Sequence, residues 1–231
     1  MVKNMDSMEI IKVLREFANP ENVQGMARFG IASENTLGVS MPIIRQIAKD
    51  VKKNHQLALE LWDSGIHEAK ILAALVAEAK LLTESEMDKW VAEFDSWDVC
   101  DQVCGNLFDK SQYFEKKIFE WAIDEREFVR RAAFALIAYS AVHHKKRNDD
   151  EYLNYAEIII KYSNDDRNFV RKAINWAIRQ IGKRSHYLNQ KAQELCCEIL
   201  NAHPNSKSAK WIVSDAMREL KDEKIIARIK R

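Results

Sequence analysis

Phe128-Val129-Arg130-Arg131-Ala132 returns as Phe169-Val170-Arg171-Lys172-Ala173, 41 residues later, and each copy opens an Ala-rich apolar run, AAFALIAYS and AINWAIRQI. Two copies of one phrase, each leading into apolar residues at helical spacing, are the mark of a repeated helical unit. Weaker echoes extend the pattern. Lys70-Ile-Leu-Ala-Ala-Leu-Val-Ala aligns with Arg131-Ala-Ala-Phe-Ala-Leu-Ile-Ala, and Lys210-Trp-Ile-Val stands 38 residues beyond Lys172.

Outward from these copies, apolar residues recur at helical spacing almost everywhere, and no alternating β-branched run is long enough for a strand. The spacing predicts fourteen helices, among them ones at about 67–82, 97–109, 149–162 and 167–183. Thr83, Ser96, Asp166 and Ser206 are the expected capping residues of several of them. Short connections make neighbouring helices antiparallel, and a period near 40 residues is that of HEAT-like repeats. The expected fold is therefore all-α, a right-handed solenoid of stacked helix pairs whose second helices line a concave side. With only six Gly and three Pro and no Gly-, Ser- or Pro-rich stretch, no linker announces itself, and a single domain over residues 1–231 is expected.

No apolar run approaches a membrane span or a signal peptide, so a soluble cytoplasmic protein with no membrane partner is expected. Cys100, Cys104, Cys196 and Cys197 match no zinc framework and read as reduced thiols, Cys100 and Cys104 as packing residues, so neither a metal nor a cofactor is expected. No Gly-rich phosphate loop, GxSxG elbow or HExxH occurs, which disfavours nucleotide hydrolysis and serine chemistry. His143-His144-Lys145-Lys146-Arg147 reads as a solvated connection. The net charge of +1 hides an asymmetry: residues 1–115 hold 12 Lys+Arg against 19 Asp+Glu, and residues 116–231 hold 24 against 16. The second half is the candidate polyanion surface, although segregated solvated charges fit the same count.

Two helices could carry chemistry. Along Asn168 to Lys183, Val170, Ala173, Ile174, Ala177, Ile178 and Ile181 form an apolar face. Lys172, Trp176, Arg179 and Lys183 follow at spacings of 4, 3 and 4 on another. Cations that neutralise phosphates around a flat aromatic suit DNA; a packed tryptophan among solvated cations fits as well. Trp97 and Asp101 are i and i+4 on the helix that opens after Ser96, so they leave the same face one turn apart. A partly dehydrated carboxylate beside an aromatic can stabilise a cationic transition state, whereas Asp98 and Asp101 could instead be acids that favour the helix dipole. Arg131 is expected to point away from its helix's core and could grip phosphate with two donors, or pair with nearby acids.

These segments resemble the AlkD-like alkylpurine DNA glycosylases of bacteria, a HEAT-like repeat family. The resemblance rests on Leu37 to Lys49 (LGVSMPIIRQIAK), Ser96-Trp-Asp-Val-Cys-Asp101, Phe128-Val-Arg-Arg-Ala-Ala133 and Phe169 to Arg179, and spans about residues 26–183. It implies that Trp97, Asp101 and Trp176 form a catalytic cleft and that Arg131 contacts DNA near the lesion. Lys172, Arg179 and Lys183 complete the expected DNA-binding set. Where the family sets an aromatic near its amino terminus against the DNA, this chain has Met26-Ala-Arg-Phe29, a departure. The implied activity is monofunctional removal of N3- or N7-alkylated purines from duplex DNA by a monomer, without inserting the base into a pocket. A purine alkylated at those positions already carries positive charge and departs without a general acid. The burden falls on the oxocarbenium-like sugar, which a carboxylate stabilises. A catalytically silent DNA-binding relative and a HEAT-type protein scaffold are the rival expectations; a silent binder has no need of Asp101, and a scaffold has no need of an acid among aromatics and cations.

Overall fold

The computed structural model describes residues 5–31 and 34–229, which contain helices, two 3₁₀ turns and no strand. They fall into two compact units, Met1–Phe114 and Glu115–Arg231. The first unit holds α1 (Ser7–Glu16), α2 (Pro20–Ala27), α3 (Met41–Val51), α4 (His55–Asp63), α5 (His67–Val76), α6 (Glu84–Ala92) and α7 (Trp97–Asn106). The second holds most of α8 (Phe114–Ala122), then α9 (Glu127–His143), α10 (Ala156–Tyr162), α11 (Asn168–Gly182), α12 (His186–Ala202), α13 (Lys207–Leu220) and the short α14 (Glu223–Ile226).

Helix starts follow their sequence signals. Asp6 and Thr83 form capping boxes with Glu9 and Glu86, Asn19 caps α2 ahead of Pro20, and the Ser206 hydroxyl accepts from Ala209 N–H. Ser96 precedes α7 without a side-chain cap bond. Three expected helices are shorter or divided. The first, α5, stops at Val76 because the Lys53 ammonium takes the carbonyls of Leu75 and Ala77, at 2.9 and 2.7 Å, satisfying groups that a further turn would have used. A 3₁₀ turn at Phe108–Lys110 follows α7. Another, Asp149–Tyr155, precedes α10, opened by the Asn148–Glu151 capping box and held by the Tyr152 hydroxyl on the Ser140 carbonyl at 2.8 Å.

In the second unit α9, α11 and α13 pack successively on one another, with α12 against α11 and α13. The 41-residue echo has a structural cause that reaches further than the repeated phrase. Asp124 accepts from the Arg126 backbone N–H at 2.8 Å and holds its guanidinium; Asp165 accepts from Arg167 N–H at 3.1 Å and holds that guanidinium. Each Asp-x-Arg turn launches the following helix, so the N-cap position of α11 falls on Arg167, with no side-chain cap bond, and not on Asp166, whose expected capping role is corrected. The repeated rings of Phe128 and Phe169 lie 5.5 Å apart, and Glu127 Oε1 accepts from Phe169 N–H at 3.2 Å. Arg130 bridges to Asp165 at 2.6 Å, and Gly182 lets α11 approach Leu220, whose Cδ2 a Cβ would meet at 2.3 Å.

In the first unit α5 packs between α3, α4 and α7. Its core contains the Trp62–Trp90 stack, with ring centroids 4.1 Å apart. Cys100 and Cys104 are fully buried on α7 as packing residues. The solvated reading of residues 143–147 is corrected in part: His143 closes α9, and the Arg147 side chain is buried against Tyr152 and Tyr155 and paired with Glu115 at 2.5 Å.

Candidate nucleic-acid interface and catalytic face

The LGVSMP segment is built around one buried carboxylate. Glu68, only 1% exposed at the start of α5, accepts from the backbone N–H groups of Leu37, Gly38 and Val39 at 2.9, 2.6 and 3.2 Å. Gly38 sits at φ +77, and a Cβ there would fall 2.2 Å from the Asn19 carbonyl oxygen, so both its conformation and its neighbours demand glycine. The Asn22 amide donates to the Gly38 carbonyl at 2.8 Å and ties the segment to α2. The LGVSMP segment was singled out in the sequence but Glu68 was not, because the partners lie about thirty positions apart and no local spacing relates them.

On α7, Trp97 and Asp101 are both partly exposed, one turn apart. Asp98 is the acid of the first turn; Asp101 lies a turn further in, where the dipole effect has faded. Asp98 is committed elsewhere, with Oδ2 2.8 Å from His67 Nε2 on α5. The Trp97 indole N–H donates to the Phe29 carbonyl at 3.0 Å, which fixes the ring. Phe29, the last residue of the Met26-Ala-Arg-Phe29 stretch, is 71% exposed beside it.

Burial alone would lower the His67 pKa, but the hydrogen bond and charge of Asp98 overcome it and hold it above its ordinary 6.5. Burial alone would raise Asp98, and the bond to His67 instead holds its carboxyl below 3.8. The pair therefore stabilises the fold fully between those ordinary values. That contribution is lost upward as pH passes through the raised His67 value, and downward as it passes through the depressed Asp98 value. The urea midpoint of the wild type is expected to fall as pH rises from about 6 to about 8.5, and His67→Gln to flatten that fall; an unchanged slope in the variant would remove the pair as its cause.

On α11, Lys172 is exposed and Trp176 half-buried, edge-on to Tyr139 of α9 with ring centroids 4.9 Å apart. Trp176 is thus packed against a neighbouring helix in part and not fully buried. With its amide oxygen turned to the indole, Gln180 accepts from Trp176 Nε1 at 3.0 Å. Arg179 donates to Asn175 Oδ1 at 2.8 Å and pairs with Glu219 of α13; Lys183 reaches the other oxygen of Glu219 at 2.5 Å. Burial would raise the Glu219 carboxyl, but these two cations hold it below its usual range. Glu219, thirty-six residues beyond Lys183, was invisible to a reading of α11 alone. Arg131 corrects an expectation: it does not point away from the core but is 5% exposed, its guanidinium donating to the Phe169 carbonyl at 2.7 Å. That bond ties Arg131 of α9 to the first turn of α11. Lys70, its counterpart in the weaker echo, is likewise buried and donates to the Glu93 carbonyl at 3.2 Å.

A solved chain described as belonging to "a new family of proteins related to the HEAT-like repeat DNA glycosylases with affinity for branched DNA structures" superposes with a TM-score of 0.75 and 20% identity, over 93% of this chain and 95% of that one. At that identity the likeness shows the fold, an all-α array of HEAT-like repeats. Curated proteins yield no match to the sequence. No helix of the described residues is long and apolar enough to cross a membrane. A family model described as "DNA alkylation repair enzyme" matches residues 10–220, from the first core residue of α1 to the end of α13, and the chain belongs to that family.

Proposed function

We propose that this protein is a monofunctional DNA glycosylase that hydrolyses the N-glycosidic bond of N3- and N7-alkylated purines in duplex DNA. The observation that carries the reading is the α7 face, where a ring held by a backbone carbonyl stands one turn from a part-exposed carboxylate outside the first turn. Asp101 stabilises the oxocarbenium-like sugar and orients water; Trp97 offers its face to the deoxyribose. The base leaves already charged, so no general acid is required, and no lysine nucleophile is needed, so no strand cleavage is implied. Trp176 presents an aromatic face to the strand, Lys172, Arg179 and Lys183 contact phosphates, and Arg131 ties α9 to the start of α11 beside that stripe. The protein acts as a monomer on DNA, in the cytoplasm. Incubation with methylated duplex is expected to release free alkylpurine and to leave undamaged duplex intact; no release from either lesion class would overturn the reading.

A second reading, DNA binding without base removal, draws on the solved relative whose description names affinity for branched DNA. It leaves the Trp97–Asp101 face without a task.

Glu219 tests the phosphate contacts. Because it neutralises two cations of the stripe, Glu219→Gln is expected to tighten duplex binding and to steepen its salt dependence by about 0.9 in log–log slope for each further phosphate that a freed cation neutralises. Fluorescence anisotropy across a salt series checks this. A slope unchanged from wild type would take Arg179 and Lys183 out of the DNA interface.

A further inference from the structure

At Lys183 the cationic stripe of α11 meets an open pocket of about 400 Å³, in the roughly 300–1,000 Å³ range of small-ligand sites. Four cations line it: Lys145 from the segment after α9, Lys183 and Arg184 from just past the end of α11, and Arg228 from the segment after α14. Ala141, Val142 and Gln180 complete the lining, and no acid is part of it among the described residues. We propose that this pocket binds the terminal phosphate monoester of a DNA strand end, resting on the reading above for DNA as the partner.

The pocket is held in shape from behind. Arg184, its side chain 4% exposed, donates to the carbonyls of Ala141, Lys145 and Arg147 at 3.1, 3.3 and 2.5 Å and to Asp149 Oδ1 at 2.8 Å. One guanidinium therefore fastens the segment that carries Lys145 to the end of α11. Ile229, next to Arg228, is buried and anchors the carboxy-terminal part of the lining. The Gln180 oxygen that accepts from Trp176 also accepts from Lys183 Nζ at 3.3 Å, so one hydrogen-bonded chain joins the Trp176 ring to the pocket.

Charge balance names the occupant. Arg184 is offset by Asp149, and Lys183 shares Glu219 with Arg179. Lys145 and Arg228 are exposed and pair with no acid among the described residues, so their two charges are left for a ligand. A phosphate inside a strand carries a single negative charge, whereas a terminal monoester carries about 1.5 to 2 near neutral pH and presents three acceptor oxygens. The monoester matches both the charge and the convergent donors. Shape agrees with charge. A strand interior must enter and leave, but the stripe joins the pocket on the α11 side, and the rest of the lining comes from the end of α9 and the carboxy-terminal segment. Such ends have a source in the chemistry proposed above, because cutting an abasic strand, by hydrolysis or by elimination, leaves phosphate on at least one end. The pocket keeps the protein on the product of that following step.

The test is fluorescence anisotropy of the intact protein, at fixed salt, on a duplex with one central nick whose ends carry a 5′-phosphate, a 3′-phosphate or hydroxyls only, beside the continuous duplex. At least one phosphorylated nick is expected to bind at least about tenfold more tightly than the hydroxyl nick, the scale of charge-assisted contacts. Added bulk charge does not account for such a gain, since every backbone phosphate of the duplex is already charged. The double variant Lys145→Gln with Arg228→Gln, at two exposed and unpaired positions, is expected to erase that preference, to keep wild-type circular dichroism and to bind continuous duplex as the wild type does. Deoxyadenosine 5′-monophosphate, which has the monoester without the strand, is expected to compete only weakly with the phosphorylated nick. Equal affinity for phosphate and hydroxyl ends, a preference that survives in the double variant, or a mononucleotide that competes as well as the phosphorylated strand would each overturn the assignment. Because binding needs no turnover, base release without an end preference defeats the pocket alone, and an end preference without base release defeats the glycosylase reading alone.

Discussion

Asp101→Asn is expected to slow excision of N3- or N7-alkylpurine by roughly two to three orders of magnitude while leaving duplex affinity nearly unchanged. The substitution keeps shape and removes charge, and the charge acts only once the glycosidic bond has begun to break and the sugar turns cationic. An interaction made only in the transition state is lost from the rate and not from ground-state binding. If Asp101 were merely an acid favouring the helix dipole, the same change would cost at most about 1 kcal/mol of stability and leave turnover intact. Its position beyond the first turn argues against that role, and Asp98 already fills it. Single-turnover rates for the two proteins, with the folded fraction checked by circular dichroism, decide the matter; equal rates would remove Asp101 from the mechanism.

Glu68→Ala is expected to cost on the order of 3–5 kcal/mol of stability, because three backbone N–H groups lose their acceptor together and two of those bonds are fully buried. The loss exceeds that of an ordinary surface carboxylate because Glu68 joins α5 to the segment that Asn22 ties to α2. Glu68→Gln, which keeps one oxygen and brings two donors into a site of donors, is expected to fall short of full rescue. Urea unfolding of both variants measures this. A loss under about 1 kcal/mol for the alanine variant would show that water or a shifted neighbour satisfies those donors.

The repeat was legible in the sequence because its physical unit is local. The Phe-Val-Arg phrase and the apolar period of α9 and α11 lie within single helices, and short connections follow from the caps. Turn chemistry was harder to see: the capping role expected of Asp166 belongs to the architecture of Asp165 and Arg167, an Asp-x-Arg turn matching Asp124 and Arg126 one repeat earlier. The Trp97–Asp101 face was readable because i and i+4 fix direction on a helix. What spacing cannot supply is a partner from another element. Glu219 on two cations of the stripe, His67 on Asp98, Glu68 on the LGVSMP backbone and the inward turn of Arg131 are pairings across 29 to 40 positions. In each, a buried polar group found its acceptor or donor through packing. Arg131 shows the cost of judging a long cation by its place on a helical wheel, since its stem packs inward while its guanidinium bonds the Phe169 carbonyl of the next repeat.

The most direct measurement of the central claim is single-turnover incubation of wild-type protein, in excess, with duplex carrying one N7-methylguanine or one N3-methyladenine, followed by separate analysis of the released base and of the strand. The account predicts free methylpurine appearing with single-exponential kinetics and an abasic strand that stays intact until treated with alkali. Failure to release either base above the spontaneous rate, with the duplex demonstrably bound, would contradict it and leave a protein that binds DNA without cutting the glycosidic bond.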